Sequence, residues 1–65
     1  MQLTDYITGK TIEISAAIVT EMHTRGPFTE IKTGINIDGI VYISTYKVKE
    51  PVPVVMDMIR SESTT

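Results

Sequence analysis

At 65 residues, with a net charge of −2 and no cysteine, the chain is short enough to be one small domain, and disulfides and thiolate metal sites are excluded. His23 is the lone imidazole, so a core built around a metal or cofactor is not expected, and stability has to come from apolar burial within the chain or between copies. The negative balance gives no general attraction for nucleic acid or anionic lipid, and the apolar runs are too short to span a membrane.

The N-terminal residues, Met1 to Asp5, lack a basic segment followed by an apolar one, so they do not read as a signal peptide, and a cytoplasmic location is expected. Gln2 to Ile7 reads as a first strand, with Leu3 and Ile7 inward and Tyr6 over the other side. Thr8-Gly9-Lys10 is a turn, because Gly9 can supply positive φ. Thr11 to Ser15 alternates as a second strand, and the two form a short hairpin. At Ser15-Ala16-Ala17 the serine can cap one helical turn. Ile18 to His23 reads as a third strand, ended by Arg25-Gly26-Pro27.

The stretch from Phe28 to Lys49 predicts one long hairpin with a definite register. Asp38-Gly39 suits a two-residue turn that needs positive φ at both positions. It pairs Ile37 with Ile40, Ile35 with Tyr42, Thr33 with Ser44, Ile31 with Tyr46 and Thr29 with Val48 on one face. The other face carries Asn36/Val41, Gly34/Ile43, Lys32/Thr45, Glu30/Lys47 and Phe28/Lys49. A slip of one residue would exchange the faces.

Beyond Glu50-Pro51, the pattern from Pro53 to Ser61 is helical, with Val52, Val55, Met56 and Ile59 as its apolar stripe and Met58 off it. So short a helix must bury that stripe. The face of Ile31, Ile35, Ile37, Ile40, Tyr42, Tyr46 and Val48 is the expected partner. The predicted fold is α+β and mainly β: an antiparallel sheet of about five strands built on hairpins, with one short C-terminal helix. Residues 1–61 form the domain, and residues 62–65 are expected to be a frayed tail.

Leu3-Thr4 with Thr8-Gly9-Lys10-Thr11-Ile12-Glu13-Ile14 resembles the opening strand, turn and strand of the FlbD (SwrD) flagellar and swarming motility proteins. Tyr46-Lys47-Val48-Lys49-Glu50, followed by Val52, Val54-Val55 and Met58-Ile59, resembles the end of that family. The chain departs from the family pattern at Ser15-Ala16-Ala17, at Arg25 to Thr29 and at Pro51-Val52-Pro53. The resemblance implies a small cytoplasmic bacterial protein that acts through contacts with other proteins, and it brings no catalytic residues with it.

A catalytic constellation is not evident. His23 is the one side chain expected to titrate near neutrality, no Ser lies in a nucleophile-elbow pattern, and a domain this small has little room for a walled pocket. Two surfaces of the hairpin stand out instead. Val41 and Ile43, with Asn36 and with Gly34 across the strands, form an apolar patch for self-association or a partner, unless the N-terminal hairpin folds over it. Phe28, Lys32, Lys47 and Lys49 could hold single-stranded nucleic acid by stacking and phosphate contact. The alternative is that Glu30 pairs with Lys47 and the lysines only solvate the sheet. The sequence therefore reads as a non-enzymatic protein-interaction module, of bacterial or phage origin and expected to be a homo-oligomer. The other readings are a small nucleic-acid-binding regulator and a phage-encoded inhibitor of a host protein.

Overall fold

Asp38 and Gly39 have φ of 52° and 84°, both positive, as a two-residue hairpin turn requires. That turn joins the two longest strands of the computed structural model, which describes residues 1–63. The elements in chain order are β1 (Gln2–Thr4), β2 (Thr11–Glu13), a 3-10 turn (Ala16–Ile18), β3 (Val19–Arg25), β4 (Phe28–Ile37), β5 (Ile40–Val48) and α1 (Val52–Ser63). The β4–β5 register is the one the sequence predicts, from Ile37 opposite Ile40 to Thr29 opposite Val48.

The strands divide into two sheets rather than one. β1 and β2 form a two-stranded antiparallel sheet, and β3, β4 and β5 form a three-stranded one in that order. The reason lies at Asp5. Its carboxylate accepts hydrogen bonds from Ile7 N–H and the Thr8 hydroxyl, and its carbonyl accepts from Gly9 N–H. The chain therefore bends directly after Thr4, β1 stops short of Ile7, and Ile7 is exposed rather than inward. Among the described residues, the sheets are joined through the backbone at the root of β5, where Tyr6 N–H donates to the Lys47 carbonyl at 2.8 Å and Lys49 N–H donates to the Thr4 carbonyl at 2.9 Å. Ser15 does cap a single 3-10 turn, its Oγ accepting from Ala17 N–H.

The core consists of Met1, Leu3, Ile14, Ile31, Val48 and Val55, with Ile12, Val19, Met22, Tyr46, Met58 and Ile59 packed around it. Thr29 and Thr33 are also buried, and their hydroxyls donate to the carbonyls of Glu50 and Ser44. Both bonds satisfy groups that would otherwise be costly to bury.

The helix covers less of the hairpin than the sequence suggests. Ile31 and Val48 are sealed, but Ile35, Ile37, Ile40 and Tyr42 on the same face are exposed. Length explains this. The 12 residues of α1 span about 18 Å, whereas the 10 residues of β4 span about 33 Å. The helix docks at the root, against the 3-10 turn and β3. Its inward face also differs from the predicted stripe: Met58 packs against the core and Met56 is exposed. Val55, Met58, Ile59 and Glu62 share one face at i, i+3, i+4 and i+7. That face is pinned by the Met1 ammonium, which donates to Glu62 Oε1 at 3.0 Å, Glu13 Oε1 at 3.1 Å and the Ile14 carbonyl at 2.9 Å. The helix accordingly continues past residue 61 to Ser63, while Thr64 and Thr65 of the expected tail lie outside the described residues.

Candidate interaction surface

The part of the hairpin beyond Thr33 and Ser44 projects as a two-stranded arm, and the molecule measures 35 × 27 × 20 Å. Among the described residues, β3 pairs with β4 as far as Val19 opposite Thr33, so Gly34 to Ile37 is laddered to β5 alone. Ile35, Ile37, Ile40 and Tyr42 lie on one face of the arm and Val41 and Ile43 on the other; all six are exposed, up to 71% for Ile43. Between Thr33 and Tyr46 the only charge is Asp38. The N-terminal hairpin does not cover Val41 and Ile43, which settles the alternative that the sequence left open.

The other nominated residues of this patch have local partners. Asn36 Oδ1 accepts from Gly39 N–H at 3.1 Å, so this side chain braces the arm's own turn. Gly34 is approached by Thr20: a β-carbon there would lie 3.3 Å from Thr20 Cγ2. Thr20 falls at a register shift in β3, between Val19 and Glu21, and its hydroxyl donates to the Lys32 carbonyl. Thr20, Glu21, Lys32, Gly34, Val41, Ile43 and Thr45 together line an open concavity. The threonine was not singled out from sequence, because only the register shift turns it toward Gly34.

The lysine face is built differently from the expectation. Lys47 lies opposite Glu30 but forms no ion pair with it; Glu30 Oε1 sits 3.7 Å from Arg25 Nε. Lys47 Nζ instead sits over the Phe28 ring, 5.2 Å from its centroid, and Tyr6 packs on that ring at 5.3 Å. Lys32 Nζ lies 3.7 Å from Glu21 Oε2, which also faces His23 Nε2 at 3.9 Å. Lys49 is exposed. Phe28 is thus partly covered, and acidic side chains are interleaved with the lysines. Tyr6 is the member of this group that sequence reasoning missed, because its contact depends on the bend at Asp5.

At the root, Glu50 ties β1 to the β5–α1 junction. Its two carboxylate oxygens accept from Thr4 N–H and the Thr4 hydroxyl, each at 2.9 Å. Burial pushes the Glu50 carboxyl up, but the Thr4 bonds, its own N–H and the neighbouring Lys49 outweigh this and leave it below its ordinary value. Among the described residues, no helix is long and apolar enough to cross a membrane. Comparison with known families, curated proteins and solved structures found no match.

Proposed function

We propose that this protein is a non-enzymatic protein-interaction module whose contact surface is the β4–β5 arm. The observation that supports it is the exposure of Ile35, Ile37, Ile40, Val41, Tyr42 and Ile43 on a single projecting ribbon. At roughly 100 Å² of accessible surface apiece, the four on one face, Ile35, Ile37, Ile40 and Tyr42, amount to on the order of 400 Å², within the range of the largest apolar patch on a monomer, and Val41 and Ile43 add a smaller patch on the other face. The resemblance to the FlbD (SwrD) proteins suggests the flagellar motor or motility apparatus as a setting in which to look for the partner. A phage-encoded inhibitor of a host protein would use the same surface.

A second reading has one observation in its favour. The Tyr6–Phe28 pair beneath the Lys47 ammonium is a stacking platform with a cation beside it, of the kind that holds single-stranded nucleic acid. Glu21 and Glu30 among the lysines weigh against it.

The test is site-specific photo-crosslinking in cells producing the protein. A photoactivatable phenylalanine at Tyr42, on the arm, should give discrete protein adducts. The same group at Met56, exposed on the helix, should give none. No adduct from Tyr42 would overturn this reading.

A further inference from the structure

We infer that the arm's partner is a second copy of this chain, joined by antiparallel pairing of the two β5 edges about a two-fold axis at Ile43. This rests on the arm being the contact surface and specifies its occupant. The direction of the peptide groups fixes the register. The Lys47 carbonyl and Lys49 N–H are taken by Tyr6 and Thr4, away from β4. In an antiparallel ladder both polar groups of a residue point to the same side, and sides alternate along the strand. The N–H and C=O groups of Val41, Ile43 and Thr45 therefore also point away from β4, toward the open edge.

That edge has two natural ends. The Asp38-Gly39 turn closes it at one, and the Tyr6 bond to Lys47 closes it at the other. The free stretch is Ile40 to Tyr46, and its middle residue is Ile43. Pairing Ile43 with Ile43 of the partner places Val41 opposite Thr45 of the partner, and the reverse by symmetry. Every outward-pointing peptide group on the free edge gains a bond in this register. The next pairing in it would need Lys47, whose carbonyl is already used.

The composition of the edge favours the same event. Ile40-Val41-Tyr42-Ile43-Ser44-Thr45-Tyr46 contains no charge, proline or glycine, and it is rich in β-branched and aromatic residues. Such a segment on an open edge is a template for strand pairing. The outer strand at the other side of the sheet is protected: β3 carries Glu21, His23 and Arg25 and a register shift. Association through β5 thus closes at a dimer, with a sheet continuous across the axis. The joined edge runs from Ile40 to Tyr46 on each copy, far fewer residues than the roughly 20–30 a side of a standard interface, which corresponds to a reversible dimer rather than an obligate one.

Sedimentation equilibrium of the full chain at high micromolar concentration should give a dimer. Amide exchange on the same samples should show protection at Val41, Ile43 and Thr45 that appears with the dimer and vanishes on dilution. Tyr42, Ser44 and Tyr46, whose amides face β4, should be independent of concentration. Ile43→Pro removes an N–H that the β4–β5 ladder does not use, so the monomer's ladder is kept and the dimer should be lost. Ile43→Lys, which leaves the backbone unchanged and sets two ammonium groups at the axis, should lose it too. A monomeric wild type would overturn the inference, as would a dimer in which the Val41, Ile43 and Thr45 amides stay unprotected or both variants still dimerise. A monomer whose Tyr42 still crosslinks to a different protein would remove the second copy and leave the contact surface standing.

Discussion

Glu50 shows how much of this fold rests on one side chain. Among the described residues, the bridge that follows β1 onto the main sheet is Asp5 opposite Val48, and the Glu50 carboxylate reinforces it by accepting from both the N–H and the hydroxyl of Thr4. Hydrogen bonds to a charged acceptor contribute about 1.5–3 kcal/mol, so Glu50→Gln should destabilise the protein by roughly 1–2 kcal/mol at neutral pH in urea denaturation. Because the carboxyl is held below its ordinary value in the folded state, its contribution is fully present above the usual Glu range. It is lost as pH falls through that range and then through the lower folded value. The gap between wild type and Glu50→Gln should therefore narrow on acidification. A gap that stayed constant into the acid range would mean that the charge on Glu50 contributes nothing to the junction.

For the elements, α1 provides the sharpest contrast. Val55 is fully buried and Met56, its neighbour, is 43% exposed. Val55→Ala should cost roughly 2–3 kcal/mol by the cavity it leaves, whereas Met56→Ala should stay within about 0.5 kcal/mol. Equal effects in thermal unfolding would show that the helix is not docked on this face. The same helix marks where the sequence stops being informative. Val55 and Ile59 were legible as core positions, because any face through them satisfies a 3.6-residue period. Choosing Met56 or Met58 as their neighbour requires knowing what lies beneath, and here that depends on Met1 reaching Glu62 across the whole chain. The hairpin divides in the same way. A two-residue turn and strict alternation were enough to set its register from Thr29 to Val48. Alternation assigns residues to faces but does not say how far along a face the core extends, so Ile35, Ile37, Ile40 and Tyr42 read as buried although the helix ends short of them. The separation into two sheets was hidden for a third reason. It follows from Asp5 bonding its own turn, and a carboxylate beside a turn does not reveal from sequence whether the strand before it continues.

Considered as a whole, the molecule sets an apolar arm against a body that carries nearly all of the charge, and this separation bears directly on the nucleic-acid reading. Single-strand binding draws on unpaired cations and falls with salt in proportion to the phosphates neutralised. Of the candidate lysines, Lys32 is paired with Glu21, and Arg25 beside them with Glu30, so the face that remains is Lys47 and Lys49 around a half-covered Phe28 on a chain of net charge −2. That is too little positive charge to gather a phosphate backbone. Fluorescence anisotropy with a mixed-sequence single-stranded oligonucleotide should accordingly show no binding even at low ionic strength. The arm does not depend on those charges. Crosslinking from Tyr42 should survive Lys47→Glu, which alters the lysine face, and should be lost with Val41→Glu, which places a carboxylate among the exposed side chains of the arm. Oligonucleotide binding that weakens steeply with salt and disappears in Lys47→Glu would assign the function to the Phe28 face instead. In that case the apolar ribbon would serve only to hold two such faces together, because pairing at Ile43 leaves the Phe28 end of each copy outside the joined edges.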